Sequence, residues 1–305
     1  MRKRLRDEKG MVLLLVLVIV ALLTSLLTEF AFSTLVDLRL AETFRDGTRA
    51  YYLAKGGVKV GRIILQQDHN GYDSRNELWG QGVANYPVEE GTVSVQITDL
   101  DSRLDINQLV TSLGNPDVIV QAHFERLFTI LGLDDPTGLT DALIDWIDPD
   151  SDRRPQGAED PYYLSLPHPY HCKNAPLDSL DELALVKGFT PAVIKAISPY
   201  VTIYGSGKIN INTASAAVLE SLTPQMDQDT AETIVAQAKV QPFQSIDDLK
   251  KLPNMETLYG FIYLYISVTS RYYLIRSSAL VNDGSRTIEA VVDKQGNILR
   301  YEKVF

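Results

Sequence analysis

The chain has 305 residues, 45% of them hydrophobic and 22% charged, with a single cysteine. That composition excludes a disordered or collagen-like chain, and Cys172 alone excludes an intramolecular disulfide framework. The net charge of −10 hides a split: the first ten residues carry five basic and two acidic groups, so the rest carries −13 and is a poor general binder of nucleic acid or anionic membrane surface.

The length predicts about two domains. Met11 to Leu27 is a run of seventeen residues without a charge. As a helix it is about 25 Å long, just short of a hydrocarbon core of about 30 Å. Its basic flank is on the amino side, so Arg2 to Lys9 stay cytoplasmic and the remainder lies outside. A cleaved secretory signal is the alternative, but the text after the run, TSLLTEFAFSTLVDL, has no clean A-x-A.

A short basic leader ending in Gly10, followed directly by Met11 and the apolar run, resembles the type IV prepilin signal. The resemblance implies cleavage between Gly10 and Met11 by a prepilin peptidase, where glycine gives extended, accessible backbone. Pilin-like chains normally carry a glutamate at the fifth mature position. Here that position is Leu15, and the class without the glutamate is the minor pseudopilin K of type II secretion. A subunit with no partner above it has no charge to satisfy there.

Beyond the membrane, Leu35, Leu38, Ala41, Phe44, Leu53, Ala54 and Val58 keep broken helical spacing to about Gln67, weakened at Asp46-Gly47 and Gly56-Gly57. Thr92 to Leu100 alternates as a strand, and strand-rich text returns from about Tyr263 to Phe305 with a hairpin signal at Asn282-Asp283-Gly284. Between the two, the text is helical. The expected fold is α+β: a membrane and stem helix packed on a small antiparallel sheet, with a large all-α insertion of helix-hairpin-helix or SAM-like subdomains. The expected boundaries are a leader at 1–10, a membrane segment at 11–36, stem and first strands at 37–102, the insertion at 103–262 and closing strands at 263–305.

The insertion contains an echo: Arg103-Leu104-Asp105-Ile106-Asn107 resembles Lys208-Ile209-Asn210-Ile211-Asn212, 105 residues later. The text after the second copy resembles helix-hairpin-helix repeats. In such repeats a glycine hairpin brings backbone N–H groups to a phosphate. The hairpin here, Thr223 to Asp229, has no glycine and two carboxylates, while the candidate hairpin at Val186 to Pro191 keeps one glycine. Nucleic acid is therefore not an expected partner.

The richest stretch runs from Asp145 to Asp160, with five carboxylates between Asp148 and Asp160. Counting Asp148 as one, aspartates fall at one, three and five, and Glu159 at twelve. This is the carboxylate spacing of a calcium loop, although Arg153 stands where an EF-hand needs glycine and the flanks are not EF helices. The competing reading is a solvated acidic loop tied by Arg153 and Arg154. His168, His171 and Cys172 include zinc-type ligands, but their spacing suits a surface loop better. No nucleophile elbow, phosphate loop or HExxH occurs, so no catalytic role is expected.

ALIDWIDPDSD, RRPQGAEDPYY and KNAPLDSLDELALVKGF, with the ININTAS text, the leader and the missing glutamate, together resemble the type II secretion minor pseudopilin K family over most of the chain. The resemblance implies calcium, one ion or two, held by Asp148, Asp150, Asp152, Glu159 and Asp160, with Asn174 as a weaker contact. It implies a single-pass inner-membrane protein with its bulk in the periplasm. It also implies a tip role beside I-type and J-type minor pseudopilins, above the major pseudopilin, with the insertion facing secreted substrate or the outer-membrane channel. Two other classes fit less of the sequence: a membrane-anchored helix-hairpin-helix DNA-uptake receptor, and a membrane-anchored metal-dependent hydrolase.

Overall fold

A computed structural model describes residues 4–304 apart from 89, 90 and 254, with side chains from Gly10 to Arg300; Arg2 and Lys3 of the leader lie outside the described residues. One helix, α1 (Arg4–Gln66), runs unbroken through the membrane and stem segments. Among the described residues its apolar window is covered by nothing else. Asp46-Gly47 and Gly56-Gly57 do not interrupt it, because the sheet takes advantage of them. A Cβ on Gly57 would lie 2.1 Å from Ser277 Oγ, and one on Gly61 2.9 Å from Ile275. Glycine there lets helix and sheet approach closely, which outweighs its lower helix propensity.

The chain then passes a short helix, α2 (Leu78–Gln81), into β1 (Val83–Val88) and β2 (Gly91–Asp99). After the insertion it closes with β7 (Tyr272–Val281), β8 (Gly284–Asp293) and β9 (Ile298–Val304). These five strands form one antiparallel sheet in the order β1-β2-β7-β8-β9. Alternation decides its faces. Val95, Ile97, Tyr273, Ile275, Ala279, Ile288, Ala290 and Val292 point inward and bury Ala50, Ala54, Val58 and Leu65 of α1. The β7–β8 turn holds Asn282 at φ +48°, and Asn282 Nδ2 donates to Asp46 of the stem.

Asp99 of β2 sits opposite Tyr273 of β7, so the insertion leaves and re-enters the sheet at one place. Its elements are β3 (Leu104–Asp105), α3 (Val118–Ile130), α4 (Pro136–Ile147), α5 (Asp160–Tyr163), α6 (Pro191–Ile197), β4 (Val201–Thr202), β5 (Ile209–Asn210), α7 (Ala216–Ser221), α8 (Gln228–Val240), α9 (Met255–Ile262) and β6 (Ile266–Ser267). A separate core fills it, with Phe124, Phe128, Leu143, Tyr163, Ile197 and Leu219 fully buried. The helices start where short polar side chains cap them: Asp117 takes N–H groups of α3, and Asp135, before Pro136, takes Gly138 N–H of α4.

The five-residue echo is structural. Each copy forms one strand of a two-residue parallel ladder, β3 with β4 and β5 with β6. Further along each half, after intervening helices, comes a short 3₁₀ helix with a capping box, closed by Ser179 with Glu182 and by Ser245 with Asp248. The strand-rich text before Tyr272 yields only β6 and a bend, because Tyr263 and Leu264 lie at the end of α9.

Candidate metal centre

Helix α4 ends at Asp148, whose N–H still bonds Ile144 O at 2.8 Å while its backbone turns extended. The chain then circles back to Glu159, the residue before α5. This fixes two carboxylates at the mouth of a turn. Both side chains are buried, with the residues 3% and 2% exposed. Among the described residues, Asp148 Oδ1 and both Glu159 oxygens have no hydrogen-bond partner of normal geometry. A further orphaned oxygen belongs to a residue that contacts the same loop. Asn174, held in the left-handed region at φ +47°, donates its Nδ2 to Asp150 O and leaves Oδ1 buried and unpaired. Burying charged oxygens without donors is costly, and the proton affinities register the cost. Burial, then the neighbouring Asp150, Asp145 and Glu159, pushes Asp148 up to about 7. Burial, then Asp145, pushes Glu159 up to about 7.

The frame around these groups is closed by bonds that need no ion. Asp145 accepts Arg154 N–H at 3.2 Å, and Gly157 packs so close that a Cβ would meet Asp145 Oδ2 at 2.0 Å. Asp141 takes Arg154 Nε at 2.7 Å. Trp146, Tyr163 and Tyr170 pack edge-on and tilted beneath the loop. The Cys172 thiol donates to Asp145 O at 3.3 Å, and burial and the Glu159 charge push it up to about 12. It is a packed neutral thiol.

The six residues singled out from sequence do not stand alike. Asp148, Glu159 and Asn174 offer buried free oxygens. Asp150 joins through its carbonyl contact with Asn174, and its Oδ1 accepts Asp152 N–H at 2.8 Å. Asp152 lies exposed on the rim. Asp160 is engaged elsewhere: Oδ1 accepts Cys172 N–H at 2.7 Å and Oδ2 meets His171 Nδ1 at 2.9 Å, so it fastens the two ends of the loop. Of the two arginines, Arg154 is committed to Asp141 and Asp145. The orphaned oxygens are part carboxylate and part carbonyl, the type a hard divalent cation takes, but among the described residues no three acidic side chains of this loop come within 4.8 Å of one another. Gly10 and Met11 lie within α1, so the bond between them is helical in the folded chain, where the sequence suggested extended backbone. Leu15 is exposed on the same helix.

Sequence reading missed a second acidic cluster. Asp68, Asp73 and Glu77 bring one oxygen each within 4.8 Å of one another. It already holds a cation: Lys294 Nζ lies 2.6 Å from Asp73 and 3.4 Å from Asp68. Nearby, Asp99 accepts from Ser270 Oγ, Thr213 Oγ1, Asn210 Nδ2 and Asp101 N–H. The hairpin before α8 is likewise self-satisfied, since Asp227 takes Thr230 N–H at 2.9 Å, where a helix-hairpin-helix protein would receive a phosphate.

Two family models, both described as type II secretion system (T2SS), protein K, match residues 102–206 and 209–268, together more than half of the chain. The chain belongs to the type II secretion system protein K family. The matched residues are the insertion and its junction with the sheet. A type II secretion system protein K from Pseudomonas aeruginosa is 28% identical over 95% of this chain and 90% of its own length. One from Aeromonas hydrophila is 27% identical over 94% of this chain and 93% of its own. The fold is that of a chain in a crystal structure of the GspK-GspI-GspJ complex from enterotoxigenic Escherichia coli, with a TM-score of 0.72 at 20% identity, covering 88% of this chain and 99% of that one. In a protein K, the long apolar helix fits a single-pass membrane anchor.

Proposed function

We propose that this protein caps the tip of a type II secretion pseudopilus and starts its assembly with I-type and J-type minor pseudopilins. The observation that carries the reading is Leu15: no carboxylate stands at the fifth position after Gly10, so that position offers nothing to pair with the terminal amine of a subunit above. The name of the solved complex supports the partners, because the chain of like fold crystallised with GspI and GspJ. Prepilin peptidase would release the basic leader at Gly10–Met11 and free an amine for the glutamate of the major pseudopilin below. The protein would sit in the inner membrane with the sheet and insertion in the periplasm.

In the same reading calcium neutralises the loop. Asp148, Asp150, Glu159 and Asn174 would hold it, with Asp152 at the rim. Its chemistry is structural: it supplies the positive charge that Asp148 and Glu159 lack and joins the end of α4 to the start of α5. Asp227, the −13 excess and the missing hairpin glycines speak against the DNA-receptor class.

The deciding experiment is gold labelling of the insertion on pseudopili assembled with all pseudopilins. Labels confined to one end of each filament are expected. Labels spread along the length overturn the cap.

A further inference from the structure

The insertion does not seal the outer face of the sheet. Between them runs a groove of about 260 Å³. Leu100, Leu274 and Val291 form one side, Ile203 and Tyr204 the other, and Arg103 stands in the wall. Arg103 is mostly buried, and burial lowers its proton affinity. A guanidinium nevertheless stays charged and carries five donors. Among the described residues, no hydrogen bond or ion pair of that guanidinium is present. The one carboxylate near enough to act on it is Asp99, already saturated by four donors of its own. The other charges at the groove are committed or peripheral. Glu289 pairs with Arg276, Arg300 donates to Asp178 O, and Asp181 lies exposed at the rim. A half-apolar groove therefore presents one cation with no protein hydrogen-bond partner among the described residues, and a fork of this shape matches a carboxylate.

We propose that the groove binds an extended polypeptide segment of a partner chain, anchored by an Asp or Glu side chain on Arg103 and by its apolar neighbours on Leu274 and Val291. The inference stands on the groove and not on the place of the chain in a filament. Once bound, the carboxylate bridges sheet and insertion, so the segment reads the relative position of both.

The test uses the full chain in detergent micelles and three labelled peptides. Two are amidated, Gly-Leu-Val-Glu-Leu-Gly and its Gln counterpart; the third is the Gln peptide with a free terminal carboxylate. The Glu peptide is expected to bind at least tenfold tighter than the amidated Gln peptide. Arg103→Gln should erase that preference and Arg103→Lys keep part of it. Because Arg103 is mostly buried, a second variant guards against misfolding: Leu274→Glu places a carboxylate in the groove and should abolish the preference while the far-UV circular dichroism spectrum stays that of the wild type. Equal binding of the Glu and Gln peptides overturns the proposal, as does a preference that survives Arg103→Gln. If the free-terminus peptide alone binds tightly, the side-chain anchor is wrong.

Discussion

Two acid-rich places in this molecule solve the same electrostatic problem in opposite ways. At the junction of stem, sheet and insertion, Asp73 and Asp99 are buried among donors the chain itself brings: Lys294, the Ser270 hydroxyl and backbone N–H, Thr213, Asn210 and a backbone amide. In the loop between α4 and α5, Asp148 and Glu159 are as deeply buried, and among the described residues Asp148 Oδ1 and both Glu159 oxygens lack a hydrogen-bond donor of normal geometry. The difference teaches that acid density does not mark an ion site. What marks one is acid density after the internal donors have been counted.

Removing the internal cation breaks the contrast most severely. Lys294→Ala leaves Asp73 buried beside Asp68 and Glu77, and a broken buried pair costs about 3–5 kcal/mol. Chemical denaturation should show that loss, and millimolar calcium should recover part of it, because three oxygens within 4.8 Å then lack a cation. A variant whose stability ignores calcium would show that the trio is shaped for lysine alone.

The next largest effect is calcium on the loop. Saturation at a thousandfold excess over Kd stabilises by about 4 kcal/mol, roughly 10 °C in melting temperature for a domain of this size. Asp148→Asn with Glu159→Gln should abolish the response. In chelator the same double variant should melt above the wild type, since the repulsion is gone. An unchanged calcium response in the variant places the site elsewhere.

A third test sharpens the comparison through pH. Unfolded, these two carboxyls titrate near 4; folded and metal-free they hold protons to about 7. As pH rises between those values the unfolded chain sheds protons first, so stability falls, and the loss persists above pH 7. Metal-stripped protein should melt lower at pH 8 than at pH 5. With saturating calcium the order should reverse, because the ion binds the deprotonated groups. A metal-stripped protein that melts equally at both pH values would show that the loop carboxyls titrate normally.

Much of the fold was legible because local chemistry wrote it. The uncharged run, the alternation of Thr92 to Leu100 and the Asn-Asp-Gly turn each act within a few residues. The loop acids were visible as a cluster for the same reason. What spacing did not contain was which oxygens would be consumed. Asp160 is turned to His171 and Cys172, eleven and twelve residues on, and Asn174 reaches its place through a left-handed backbone. The junction was invisible: Asp73, Asp99, Asn210, Ser270 and Lys294 come from five separate stretches and meet only when the insertion docks. Strand β1 was missed too, because Tyr86 and its neighbours are exposed and do not alternate toward a core.

The adjacency of Asp99 and Tyr273 sets a timetable for the chain's maturation. Those partners are roughly 170 residues apart, so pairing them early would close a very long loop against chain entropy. A folded insertion shortens that loop to the gap between its own ends. The sheet's central seam must therefore close late, after nearly the whole polypeptide has been made. Until then β2 waits beside the long apolar helix with one edge unpaired, and the chain is most exposed to wrong partners in that interval.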